Sequence, residues 1–210
     1  MKYSSCTKKK SRPSNAKHLL FTTALEHFSR DGFEGASLGQ IAADVGIKKP
    51  SIYKHFQSKE DLFIKVLLYT EHEVKRRIMQ YFAKQFREKE LKEILQDFPQ
   101  FLLEEYEQEL SFRFLLRQAF FPPRMLTPEV LEKITPLLDS FERLLTKRFR
   151  ELGPEMIFTQ PGAASLTYLT LIDGILAEML YAGMNKAQRR IDAAWPVFCR
   201  GVFLTDSKVN

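Results

Sequence analysis

The chain has 210 residues, 44% hydrophobic and 28% charged, which gives enough apolar material for a packed core and too much for a disordered chain. The formal net charge of +6 is unevenly placed. Residues 1–60 hold eleven Lys/Arg against five Asp/Glu, whereas residues 61–210 hold twenty-one of each. The excess positive charge lies wholly in the first sixty residues, as expected of a segment that meets phosphate backbones. The longest apolar stretch, Leu166 to Met184, is broken by Asp173 and Glu178, so no membrane span is expected. No long apolar segment follows the basic run Lys8 to Lys10, as a secretory signal would require. A cytoplasmic location is expected. Cys6 and Cys199 are far apart and form no CxxC pair, so both are expected as reduced thiols.

In chain order, residues 1–13 are polar and basic and read as a flexible arm. A first helix is expected after Ser14, with Ala16, Leu19, Leu20, Thr23, Ala24, His27 and Phe28 on one face and Gly32 as its stop. A second is expected after Ser37, where Ser37 and Gln40 have the spacing of a capping box. Gly46 should end it in a tight turn. A third, short helix is expected over Lys49 to Phe56, with Pro50 in its first turn. A fourth should start at Ser58, with Glu60 and Asp61 on the favourable end of the helix dipole, and run to about Phe86. Further helices are expected near 90–108, 110–121, 127–152, 162–183 and 185–205, divided by Pro122-Pro123, Gly153-Pro154, Pro161-Gly162 and Gly183. Pro196 is expected to kink the last one. The expected fold is all-α: a three-helix DNA-binding domain over 14–60 and a larger helical domain over 61–210.

The informative stretch runs from Gly32 to Leu62. Two short helices meet at Gly46, small Ala42 and Ala43 permit close approach, and Ile41, Val45, Ile47, Ile52 and Phe56 can share a core. The other face of the third helix offers Lys48, Lys49, Ser51, Tyr53, Lys54 and His55, a cationic and aromatic surface suited to a DNA major groove and its flanking phosphates.

The segment resembles the DNA-binding domain of the TetR family of bacterial transcriptional regulators. The resemblance rests on the Gly-Phe start, Ser37, Ile41-Ala42, Gly46-Ile47, Ile52-Tyr53 followed by His55-Phe56, and Ser58-Lys59 followed by Leu62. It covers about the first third of the chain. It implies that Ser37 contacts phosphate, that Lys49 and Pro50 meet base edges, that Tyr53 and His55 reach the sugar-phosphate backbone, and that Lys59 clamps a further phosphate. Lys48 stands where the family often has Ser or Thr, and Gly39 offers no side chain for base reading, which shifts that role toward Lys48, Lys49 and Ser51. The basic arm at Lys8 to Lys10 is either a groove-binding tail or a solvated one.

Fourteen of the eighteen phenylalanines follow residue 60. Most are expected as core, yet their abundance favours an apolar or amphipathic effector. Candidate effector-binding residues are Phe101, Tyr106, Arg113, Arg117, Phe120, Phe141 and Tyr168. The resemblance implies a homodimer through the last two helices, with Leu169, Leu176, Leu180, Ile191, Trp195, Phe198 and Val202 as candidate interface residues. The expected function is a repressor that binds a pseudo-palindromic operator in double-stranded DNA and is released by a small molecule. The alternatives are a helical DNA-binding protein without an effector, or a helical enzyme. Against an enzyme, the four histidines and two cysteines show no metal spacing, and no GxSxG, P-loop or GxGxxG occurs. No catalytic residue, metal or cofactor is expected.

Overall fold

The computed structural model describes residues 13–204. Among them the backbone is helical almost throughout and forms no strand: α1 (Pro13–Gly35), α2 (Leu38–Val45), α3 (Lys49–Tyr53), α4 (Lys59–Gln85), α5 (Leu91–Gln108), α6 (Leu110–Phe120), a short 3-10 turn (Arg124–Leu126), α7 (Thr127–Leu152), α8 (Pro161–Tyr181) and α9 (Met184–Val202). The expected basic arm and Cys6 lie outside the described residues. The chain divides into two compact units, Met1–Tyr69 and Thr70–Asn210, with α4 contributing to both.

In the N-terminal unit, α1 buries Leu20, Phe21, Ala24, Leu25 and Phe28, whereas Leu19 is 49% exposed and not on the buried face. The helix breaks at Gly32, whose φ of 71° and ψ of 178° put it where a side chain is strained. Behind the break, Phe33 and Phe28 meet Phe63 of α4 edge-on, at 5.2 and 5.1 Å between ring centres. Such aromatic pairs add about 0.5–1.5 kcal/mol to the area they bury.

The turn between α2 and α3 is a Schellman closure. Gly46 sits at φ 76°, its N–H donates to Ala43 O at 3.0 Å, and the N–H of Ile47 donates to Ala42 O at 2.9 Å. This satisfies two carbonyls that α2 leaves open and reverses the chain within a few residues. Ile41, Ala42, Ile52 and Phe56 are buried beneath it. Val45 is only half-buried, Ala43 is exposed and Ile47 is 36% exposed. The shared core is therefore narrower than expected, because the turn lifts Ile47 outward. Ser37 occupies the cap position of α2 without a side-chain cap hydrogen bond, so the expected capping box is not formed. The third helix ends at Tyr53 and not at Phe56, since the N–H groups of His55 and Phe56 both close onto Ile52 O.

In the C-terminal unit, α8 packs on α7 and α9, and α5 on α6, α8 and α9. Two contacts set their register. The fully buried Tyr168 of α8 donates its hydroxyl to Leu95 O of α5 at 2.7 Å, and burial pushes that phenol well above its ordinary range. Arg77 of α4 forks onto Glu105 of α5, with Nη2 to Oε1 at 2.7 Å, and lies 3.1 Å from Glu109. A single bridge between Ile157 and Phe203 ties the α7–α8 connection to the end of α9. Pro196 is exposed and lies inside α9, which continues to Val202.

Candidate nucleic-acid interface and ligand cavity

The short helix α3 presents one buried residue, Ile52, and an outward set: Lys48, Lys49, Pro50, Tyr53, Lys54 and His55 are exposed and Ser51 is half-buried. Among the described residues, the side chains of Lys48, Lys49, Tyr53, Lys54 and His55 have no hydrogen-bond or ion-pair partner. The surface therefore carries cationic and hydrogen-bonding groups that are free for a partner. Ser37 is also exposed. Lys59 differs from the others. Its Nζ donates to Glu34 O at 2.9 Å and lies 4.8 Å from the centre of the Phe33 ring, so this lysine already helps to hold α1 against the start of α4. An ammonium has three donors, which leaves capacity for a phosphate.

Two further contacts fix the orientation of α3. His27 of α1 is buried, and its Nε2 lies 2.7 Å from Asp44 Oδ2 of α2. Arg30 Nη2 approaches the Nδ1 of the same ring at 3.1 Å. A guanidinium only donates, so Nδ1 accepts and Nε2–H donates to Asp44. The imidazole thus latches α1 to the helix that leads into the turn. On the other side of α3, Asp61 Oδ2 accepts from the N–H of Gln57 at 2.9 Å and from Lys65 Nζ at 3.0 Å. These bonds hold its carboxyl below the usual range and anchor the loop into α4. Sequence periodicity placed His27 on a packed face; its pairing with Asp44, seventeen residues away, carries no local signal.

The C-terminal unit encloses a cavity of about 350 Å³, walled by α4, α5, α6, α7 and α8. Every lining side chain is apolar except Asp173. Phe98 and Phe141 form part of the wall, with ring centres 5.3 Å apart. Of the lining residues, solvent reaches Phe120, Leu138 and Asp173 most, which places the opening between α6, α7 and α8.

Among the side chains expected at an effector pocket, Phe120 and Phe141 line this cavity. The other five do not, each for a packing reason. Phe101 stacks on Tyr81 at 4.4 Å. Tyr106 is half-buried away from the lining, and Arg113 Nη1 caps the end of α5 by donating to the carbonyls of Tyr106 and Glu107 at 2.9 and 2.8 Å. Arg117 points to solvent, and Tyr168 is committed to Leu95. Asp173, which sequence reasoning treated only as a break in an apolar run, is the polar residue at the cavity.

On α8 and α9 the expected interface residues take different places. Leu169 and Leu176 line the cavity, Ile191, Phe198 and Val202 are buried within the chain, and Leu180 and Trp195 are half-buried. Phe198 and Val202 also border a groove on the outer side of α8 and α9, together with Leu171 and Ile175. The same groove is lined by the small residues Gly174, Ala193, Ala194 and Gly201, and by Val197, which is 65% exposed. Leu166 of α8 is 52% exposed. By length and composition α8 is apolar enough to cross a membrane, with a mean hydropathy of 1.4, yet only 33% of that window is buried.

Comparisons with known proteins agree with this arrangement. Residues 20–66 match the family described as bacterial regulatory proteins, tetR family. The chain is 32% identical over 77 residues to the HTH-type transcriptional regulator AcrR of Shigella flexneri, covering 37% of this chain and 36% of that protein. It is 44% identical over 62 residues to the HTH-type transcriptional regulator RutR of Escherichia coli K12, covering 29% of each. The matched segment thus spans about a third or less of these relatives. A TetR transcriptional regulator from Chloroflexus aurantiacus has the same fold, with a TM-score of 0.72 at 18% identity, over 91% of this chain and 98% of that one.

Proposed function

We propose that this chain, whose N-terminal unit is a domain of the tetR family of bacterial regulatory proteins, is a ligand-responsive transcriptional repressor acting as a homodimer on duplex DNA in the cytoplasm. The observation that carries this reading is the outward surface of α3 and its flanks, where Lys48, Lys49, Tyr53, Lys54 and His55 are exposed and, among the described residues, make no side-chain hydrogen bond or ion pair.

In this reading α3 enters the major groove. Lys49 donates to guanine O6 and N7, and the Pro50 ring touches a thymine methyl. Lys48 and Ser51 extend the base-reading edge. Tyr53, Lys54, His55 and Ser37 contact the sugar-phosphate backbone, which fixes position without reading sequence. Lys59 adds a phosphate contact while keeping its bond to Glu34. A second copy of the chain packs on the groove of α8 and α9, where Gly174, Ala193 and Gly201 allow close helix approach. Two α3 helices then meet successive major grooves, about 34–36 Å apart, on a pseudo-palindrome.

The cavity is the effector site. Its wall includes Val74, Ile78 and Met79 of α4, the helix that begins at Lys59. A guest that moves this wall moves a helix shared with the DNA-binding unit. It changes DNA affinity only to the extent that it binds the free and DNA-bound states differently.

The test is enrichment of genomic fragments by the full chain, followed by anisotropy titration of the best fragment. Wild type should bind it far more tightly than random duplex. The Lys49→Ala/Tyr53→Ala double variant should lose that preference while keeping its helix content. Equal affinity for both duplexes in wild type would reject the assignment.

A further inference from the structure

We propose that the cavity takes an amphipathic organic cation, its apolar body inside and its charged head at the rim against Asp173; this rests on reading the cavity as the effector site.

Three features of the wall converge on this chemistry. Asp173 is the one charged residue in the lining, and no lysine, arginine or histidine accompanies it. Among the described residues its carboxylate has no ion-pair or hydrogen-bond partner. Glu178, further along the same helix, is paired with Arg190. The rest of the wall includes Phe98, Phe112, Phe120 and Phe141, whose ring faces attract a cation and offer an anion nothing.

The alternatives fail on elementary grounds. An anion would meet a carboxylate and no donor. A sugar or other polar neutral guest would give up its water hydrogen bonds to a wall that cannot replace them. A purely apolar guest would fill the interior and leave the carboxylate at the mouth as it is, partly desolvated. Crowding by apolar neighbours already pushes Asp173 above the usual carboxylate range, and a cationic head relieves that cost. Because solvent still reaches Asp173, the head need not be fully dehydrated, so the ion pair escapes the heavy penalty of deep burial. The 350 Å³ volume lies near the lower end of the ligand-pocket range, about 300–1,000 Å³, which suits a short alkyl chain or one or two rings.

Calorimetric titration of the full-length protein with octyltrimethylammonium, 1-octanol and octyl sulfate tests this. The three probes share a tail and differ in charge. Wild type should bind the cation about tenfold more tightly than the alcohol, and the sulfate least, a tenfold ratio being about 1.4 kcal/mol. Asp173→Asn should remove the preference for the cation while changing the affinity for 1-octanol by less than about twofold. Asp173→Lys should reverse the order of the two ions. Equal binding of cation and alcohol by wild type overturns the proposal, as does a cation preference that survives Asp173→Asn. So does a change of oligomeric state in Asp173→Asn without a change in probe selectivity, which would assign the carboxylate to a subunit contact. DNA affinity measured on the same preparations keeps the two readings apart. Cation selectivity without DNA binding sinks the regulator and leaves this site; DNA binding with no probe bound at all sinks this site alone.

Discussion

In the N-terminal unit the decisive side chains point outward to solvent; in the C-terminal unit they point inward around a cavity and are almost all hydrocarbon. Lys49 and Tyr53 stand exposed on a five-residue helix, and His55 just beyond its end, held in place by the Gly46 turn and the His27–Asp44 contact. Phe98, Phe141 and Leu102 wall a volume that no single residue defines. A surface that recognises a charged polymer needs particular groups at particular positions, so residue type matters at each one. A cavity needs only that packing fall short, and many combinations of apolar residues achieve that.

This contrast predicts which changes damage which property. The largest effect should come from Leu166→Asp combined with Val197→Asp, two exposed positions on the α8–α9 face. Sedimentation should show a monomer with unchanged helix content, and affinity for a two-half-site operator should fall by about 100-fold or more, because the second half-site contact is no longer intramolecular. If affinity holds, this face is not a subunit contact.

Next in size are Lys49→Ala and Tyr53→Ala. Each should weaken operator binding by about 1–3 kcal/mol. Lys49→Ala should relax the base preference at one position, whereas Tyr53→Ala should weaken all sequences alike. Anisotropy on a panel of single-base operator variants separates the two.

His27→Ala should cost about 1–3 kcal/mol of stability, since it leaves Asp44 and Arg30 without a shared partner and opens space under α1. Denaturant unfolding should show the loss, while the affinity of the cavity for an apolar probe stays unchanged. A parallel loss of probe binding would mean that the two units share more than the contrast allows.

Ala119→Leu, on the cavity wall, should act in the opposite sense. Each added CH₂ that finds room contributes up to about 0.8 kcal/mol. Melting temperature should rise by a few degrees, and binding of a small apolar probe should drop. The smallest change is Lys59→Ala: calorimetry and salt titration should show a slope of log affinity on log salt lower by about 0.9, one phosphate's worth.

The legibility of the sequence follows the same division. The helix order, the glycine at the α2–α3 turn and the buried Ile41, Ile52 and Phe56 could be read because periodicity and turn chemistry act locally. The exposure of the α3 residues followed from the same pattern. The cavity could not be read, because its wall draws on five helices scattered between Val74 and Leu176. Tyr168 resembled a polar anchor for a ligand, but Leu95 O, 73 residues away, already uses its hydroxyl. Of the large apolar residues expected at an interface on α8 and α9, Leu169 and Leu176 line the cavity, whereas Phe198 and Val202 border the outer groove beside Gly174 and Gly201. Composition ranks residues by their wish to leave water; it does not say which dry place each one finds.

A wall made of phenylalanine, leucine and isoleucine has a consequence for breadth of response. Such side chains form no directional bonds, so they impose no template on what they enclose. Discrimination among guests that share a head group would rest on bulk and on the ease with which each sheds its hydration shell. A protein built this way would answer to a class of compounds that have little in common as drawn formulae, and would grade them by oil–water partitioning more than by outline.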